Sequence, residues 1–111
     1  MSDNQSAGDL VAATARIETG NANRYLTQLC KHFEHRRPVS YADGAGEIAF
    51  PAGVCRMRAD AGVLTLHIAS KDAAALPQLE DVVARHLVRF AFREAIDIEW
   101  RPGAPPPTVG G

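Results

Sequence analysis

Three short turns that contain glycine divide residues 39–70 into segments typical of β-strands. The turns read ADGAG, PAG and DAG, and the segments between and around them read VSY, EIAF, VCRMRA and VLTLHIAS. The last segment alternates strictly, so that Leu64, Leu66 and Ile68 face one way while Thr65 and His67 face the other. Because strands joined by such short connections must be antiparallel, these residues predict a β-meander.

Two segments with helical spacing flank the meander. The first runs from 22 to 37, with Asn21 as its predicted N-cap and Pro38 after its end. The second has an early turn from Ser70 or Asp72 and its main body from Pro77, which a first helical turn tolerates. Apolar stripes with a spacing of three or four positions contain Tyr25, Leu26, Leu29, Cys30 and Phe33 in the first, and Leu76, Leu79, Val83, His86, Leu87 and Phe90 in the second.

Two further alternating segments predict a strand at each end of the domain. These are AATARIETG, with Ala13, Ala15 and Ile17 on the apolar side, and IDIEW at residues 96–100. The chain order is therefore β-α-β(meander)-α-β. We predict a two-layer α+β sandwich, in which two helices cover one face of a mostly antiparallel sheet of about five strands. A single domain is expected at 11–101, between a disordered N-terminus at 1–10 and a disordered Pro/Gly tail at 102–111.

The other face of this sheet is predicted to be polar. It carries Arg16, Glu18, Arg56, Arg58, Thr65, His67, Asp97 and Glu99. We interpret this face as a solvated surface, since mixed charge is usual on an exposed antiparallel face, with a partner surface as the alternative.

Composition excludes several classes of partner. The chain has 111 residues and a formal net charge of −1, which provides no strong field to attract nucleic acid or an anionic membrane. The N-terminus MSDNQSAGDL lacks the features of a secretory signal, and no apolar run reaches the ~20 residues of a membrane span. We therefore expect a cytoplasmic protein.

In the reducing cytoplasm, the two cysteines Cys30 and Cys55 are expected to be thiols, and a redox disulfide between them is the weaker alternative.

The segment LCKHFEHRRP, from Leu29 to Pro38, resembles a string of metal ligands, but helical phase divides it. Cys30 and His32 point about 200° apart on a regular helix, so they cannot bind one metal ion together. Cys30 falls on the core side, whereas His32 and His35 lie on one face. His32 is expected to be half in the core and His35 to face solvent.

A second histidine, His86, lies near the centre of the apolar stripe of the other helix. One interpretation is a neutral core histidine, bonded to a backbone carbonyl or to Tyr25 or Tyr41. In the other, His32 and His86 approach each other across the seam between the helices. Together with His35 or a carboxylate, they would then form a three-ligand site of the kind that holds Zn or Fe.

Basic residues near these histidines suggest the rest of a binding site. Arg85, Arg89 and Arg93 recur every four positions, and with Lys31, Arg36 and Arg37 they form either a basic corner for an anion or a solvated helix face. The residues predicted to bind a ligand are His32, His86, Arg89 and Lys31. The sequence shows neither a phosphate-binding glycine loop nor a nucleophile elbow nor a Cys-x-x-Cys pair, which argues against an enzyme.

Three segments carry a resemblance to a known family: ANRYLTQLCKHFEHRRPV, GEIAFPAGVCRMRAD and LEDVVARHLVRFAFREAIDIEW. Across residues 13–100 the chain resembles the bacterial domain-of-unknown-function family numbered 2218. The resemblance implies a small bacterial α+β domain without an established activity, some of whose relatives are linked to siderophore and iron utilisation.

Three functions are consistent with these observations. The first is a non-catalytic ligand-binding or accessory module, linked to iron or siderophore use, that works through the histidines and arginines on the helices. The second is a module that associates with a protein partner or with itself as a homodimer, without chemistry. The third is a small enzyme in which His32 or His86 is a general base.

Overall fold

The computed structural model describes residues 10–103. The predicted disorder at 1–9 and 104–111 lies outside the described residues. In chain order, the elements are β1 (Val11–Glu18), α1 (Ala22–Phe33), β2 (Val39–Ala42), β3 (Ala45–Phe50), β4 (Gly53–Asp60), β5 (Val63–Ser70), α2 (Leu76–Phe90) and β6 (Arg101–Pro102). All strand pairs are antiparallel, in the order β2-β3-β4-β5-β1-β6. The predicted α+β class and the meander are confirmed.

Both helices pack on one face of the sheet, and the core lies between the two layers. Alternation along the strands sends every second residue into this core, including Leu64, Leu66 and Ile68 of β5, none of which is exposed. The helices contribute Leu26, Leu29, Cys30, Leu79, Val83 and Leu87. No helix among residues 10–103 is long and apolar enough to cross a membrane.

The end of the domain differs from the prediction. Residues 96–100, predicted as a strand, alternate in burial but do not pair with the sheet. Ile96, Ile98 and Trp100 are half-buried against the core, whereas the hydrogen-bonded strand is the two-residue β6 that follows. The alternation of apolar and polar residues indicates that one side of a segment is buried. It does not show that the backbone of the segment forms hydrogen bonds with a neighbouring strand. The sheet therefore has six strands instead of about five, and the Gly103 N–H still donates to the Ala12 carbonyl, beyond the predicted domain end at 101.

Each helix lies directly over a glycine of the sheet. A Cβ at Gly53 of β4 would be 2.9 Å from Leu79 of α2 and 2.3 Å from the Ala69 carbonyl oxygen. At Gly46 of β3, it would be 2.9 Å from the Cys30 sulfur of α1. Both glycines are therefore required for close approach, which fixes how near each helix lies to the sheet.

A cluster of hydrogen bonds fastens the segment after α2 to the start of α1. The Glu94 carboxylate accepts bonds from the Thr19 hydroxyl (2.8 Å), the Asn21 side-chain amide (3.0 Å) and the Tyr25 hydroxyl. Asn21 occupies the predicted N-cap position of α1, but its side chain makes no capping hydrogen bond to the helix and donates to Glu94 instead. The bond from Tyr25, followed by those from Asn21 and Thr19, lowers the pKa of Glu94.

We expect Gly53→Ala to destabilise the fold by about 1–3 kcal/mol, the usual range for an overpacked core. The added methyl group meets a backbone carbonyl that cannot rotate away. The matched control is Gly20→Ala, where no atom lies within 4 Å and the new residue should be neutral or slightly stabilising. Urea unfolding of both variants checks this prediction, and equal stability of the two would contradict it.

We expect Glu94→Gln to flatten the dependence of stability on pH. Because the pKa of Glu94 is lowered in the folded protein, its stabilisation is present above the ordinary carboxyl pKa and is lost as the pH falls through the folded value. The melting temperature of the variant should therefore lie below that of the wild type at pH 7 and converge with it toward pH 3.

The control is Glu99→Gln, since Glu99 is exposed and makes only a 3.7 Å contact with Arg101. An identical pH profile for the wild type and Glu94→Gln would show that the cluster does not stabilise the fold.

Candidate functional site

The two histidines predicted to approach each other do meet across the seam between α1 and α2. The ring centres of His32 and His86 lie 4.6 Å apart, with their planes at 47°. His86 is half-buried, as its place in the apolar stripe predicts. His32 is exposed instead of half in the core. The next residue, Phe33, packs beneath the seam, which leaves His32 at its outer edge.

His86 also fulfils the simpler interpretation of a core histidine. Its Nδ1 lies 2.7 Å from the carbonyl oxygen of Val82, one turn earlier in α2. Since a carbonyl only accepts, Nδ1 carries a proton, and Nε2 is the ring nitrogen left to face a ligand. A backbone bond that fixes the tautomer and the ring direction is common behind metal-binding histidines.

Phenylalanines enclose the histidine pair. Phe33 packs edge-on against both imidazoles, at 4.9 Å from His32 and 5.0 Å from His86, and its other side contacts Phe50 of β3 at 5.2 Å. Phe90 packs against His32 at 5.8 Å. The rings limit the rotamers of both histidines, so that the pair is held in place before any ligand arrives.

The surroundings of His32 keep its imidazole neutral. Desolvation is the largest cause that lowers the pKa of His32, followed by the charges of His86 and Arg89 and then by those of Arg36 and His35. A neutral ring has a lone pair available at pH 7. The same cations create a positive potential around the pair.

The predicted set of three metal ligands is not assembled. His35 is exposed and makes no ring contact with the other two histidines, and no three His, Cys, Asp or Glu side chains within residues 10–103 lie together as a metal-ligand group. Cys30 and Cys55 are buried free thiols. Burial raises the pKa of Cys30 to about 11 and that of Cys55 to about 12, so both are protonated core residues.

The predicted basic corner is reduced to a smaller group. Arg85 pairs with Asp81 at 2.9 Å, and Arg93 lies over the ring of Phe92 at 5.3 Å. Arg89 forms no ion pair within the described part of the chain and is among the charges that act on His32. Lys31 is exposed next to His32. Arg89 and Arg36 are thus the two arginines of the predicted group whose charges act on His32.

A second candidate site lies on the open face of the sheet, for which the sequence predicts a solvated surface, with a partner surface as the alternative. A depression of about 890 Å³ there is lined by side chains that include Arg16, Arg56, Arg58, Thr65 and His67. The alternation of β1, β4 and β5 places these residues on one face. Only the register between the strands, which the sequence does not encode locally, shows that the arginines surround one hollow.

Comparison with known proteins identifies relatives whose function is not established. The NMR structure of PA4090 from Pseudomonas aeruginosa is 32% identical in sequence and superposes with a TM-score of 0.70, over 81% of this chain and 94% of that one. No curated protein matches the chain.

The family comparison agrees with the resemblance that the sequence shows. The model of DUF2218, described as an uncharacterised protein conserved in bacteria, matches residues 14–101, which include both helices and all of the sheet except residues 11–13 and Pro102. The histidine pair and the open-face depression both lie within this match. The chain therefore belongs to the DUF2218 family of uncharacterised bacterial proteins.

Proposed function

We propose that the protein is a non-catalytic binding module, in which His32 and His86 hold the metal ion of a small anionic complex. The observation that carries this proposal is the 4.6 Å separation of the two rings. Two nitrogens that each lie about 2.0–2.1 Å from one ion, at roughly 90–110°, place their ring centres about 4.5–5.2 Å apart. The two helices therefore hold the rings at a spacing that suits a shared ion.

The chemical state of the rings supports the same proposal. Nε2 of His86 is the free nitrogen because Nδ1 bonds to Val82, and His32 is kept neutral by its surroundings. Neutral imidazole suits zinc, copper, iron and nickel, which include the predicted Zn and Fe. Two protein ligands leave most coordination positions of such an ion open, so other donors must fill them.

The charges near the pair favour a ligand that brings these donors itself. Arg89 and the exposed Lys31 add positive charge, which favours a metal complex with carboxylate or other anionic oxygens over the bare cation, although the bare cation can still bind. Ferric complexes of organic anions belong to this class. The link to siderophore and iron use that the sequence resemblance implies is compatible with it.

The other two functions stay predictions. Association with a protein partner, or with a second copy in a homodimer, would need an exposed apolar surface. Phe92, which follows the C-terminal end of α2, is an exposed apolar side chain of this kind. A histidine general base would need a substrate cleft around His32, and the depression described above lies on the opposite layer, lined by residues of β1 to β5.

Cu²⁺ is a suitable probe for the histidine pair, because its electron paramagnetic resonance spectrum counts the bound nitrogens. We expect the wild-type spectrum to show two imidazole nitrogens and the His32→Gln spectrum to show one, with at least tenfold weaker binding. His32 is exposed, so this change should leave the fold intact. Calorimetry with Zn²⁺ provides the affinities.

His35→Gln is the matched control, since His35 is an exposed histidine in the turn that follows α1 and makes no ring contact with the pair. It should bind both ions as the wild type does. The proposal fails if His32→Gln and His35→Gln bind equally well, or if the wild type shows a single nitrogen.

A further inference from the structure

We propose that the depression on the open face of the sheet binds a small organic oxyanion, whose carboxylate or phosphate group is held between Arg16 and Arg58 over Thr65. This site lies on the face of the sheet opposite to the helices. It is therefore independent of the histidine pair and does not rest on the function proposed above.

The register of the three central strands places the arginines around one position. Thr65 of β5 pairs with Arg58 of β4 on one side and with Arg16 of β1 on the other. Since neighbouring strands are about 4.8 Å apart, the two arginine backbones are separated by about 10 Å, with the Thr65 hydroxyl between them. Two long side chains that start so far apart can both reach one anion above the threonine.

The charges on this face are unbalanced at that position. Arg56 has a partner, because its Nε lies 3.2 Å from Glu47. Neither Arg16 nor Arg58 lies within salt-bridge distance of a carboxylate of residues 10–103, although Asp60 also lines the depression. Two like charges that flank one strand repel each other when the site is empty, so an oxyanion between them is favoured.

His67 provides an unsatisfied polar group in the same hollow. It pairs with Arg56 and Thr14, one step along the strands from Thr65, and its side chain lines the depression. Its Nε2 is buried and has no hydrogen-bond partner among the described residues. A buried polar atom without a partner is uncommon in folded proteins and often marks a place where a water or a ligand binds.

The size of the depression indicates the class of ligand. Its volume of about 890 Å³ lies in the range of small-molecule sites, about 300–1,000 Å³, and greatly exceeds the volume of one phosphate ion. Planar guanidinium groups recognise carboxylate and phosphate through paired hydrogen bonds. We therefore assign the site to an organic molecule with at least one such group, whose remainder lies along the sheet toward His67.

Citrate and inorganic phosphate are the probes for this site, followed in amide ¹H–¹⁵N spectra of metal-free protein at constant ionic strength. We expect the backbone amide signals of residues 14–16, 56–58 and 65–67 to show the largest chemical-shift changes, and these changes should saturate as the anion concentration rises. Citrate should bind at least tenfold more tightly than phosphate, because only an organic anion extends beyond the pair of arginines. The double variant Arg16→Gln/Arg58→Gln should lose at least tenfold in citrate affinity.

Two controls separate this site from general charge effects and from the histidine pair. Arg85→Gln removes an arginine of α2 that pairs with Asp81, and His32→Gln removes the proposed metal ligand. Both should bind citrate like the wild type. Three results would overturn the proposal. They are a loss of citrate affinity in Arg85→Gln equal to that in the double variant, chemical-shift changes that sodium chloride reproduces, and full citrate affinity in the double variant. Equal melting temperatures of the wild type and the double variant exclude unfolding as the cause of a loss.

Discussion

The close approach of both helices to the sheet is the constraint on which the rest of the structure depends. Gly46 and Gly53 leave no room for a side chain beneath Cys30 and Leu79. On this surface α1 packs mainly against β3 and β4, and α2 packs against β5 and β1. Helices held on neighbouring strands must also lie beside each other. Their seam is where His32 and His86 meet, and the hydrogen bonds of Glu94 fasten the segment after α2 to the start of α1.

The two layers produce two different chemical surfaces. On the helix layer, aromatic rings pack against the imidazoles of His32 and His86. Desolvation and nearby cations lower the pKa of His32 and keep its ring neutral. This state suits a metal ion that brings anionic ligands of its own. On the open face, which no helix or strand of residues 10–103 covers, the antiparallel sheet exposes arginines at alternate positions of adjacent strands. The proposed ligands of both surfaces carry negative charge, although the net charge of the whole chain is −1. Local arrangement, and not net charge, decides what each surface attracts.

Much of this fold follows from patterns of short range. The meander can be recognised from two local features. One is the alternation of apolar and polar residues in VLTLHIAS, and the other is the turn at Asp43–Gly44, where both residues have positive φ. Both features depend only on residues that are neighbours in the sequence. Helical phase likewise separates Cys30 from His32, and the meeting of His32 and His86 is one of the two interpretations that it leaves open for His86. Residues 96–100 show the limit of such patterns, since their alternation reflects burial without strand pairing. The hydrogen bond of the Asn21 side chain has its partner 73 residues away, and the grouping of the open-face arginines depends on strand register. No local sequence pattern contains either kind of information.

The meeting of His32 and His86 is the central claim, and nuclear magnetic resonance of the imidazole rings tests it most directly. Long-range ¹H–¹⁵N correlations report the tautomer of each histidine, and nuclear Overhauser effects report contacts between ring protons. The structure predicts a proton on Nδ1 of His86, donated to the Val82 carbonyl, together with cross-peaks between the rings of His32 and His86. An Nδ1 of His86 without a proton, and no cross-peaks between the two rings, would contradict this account.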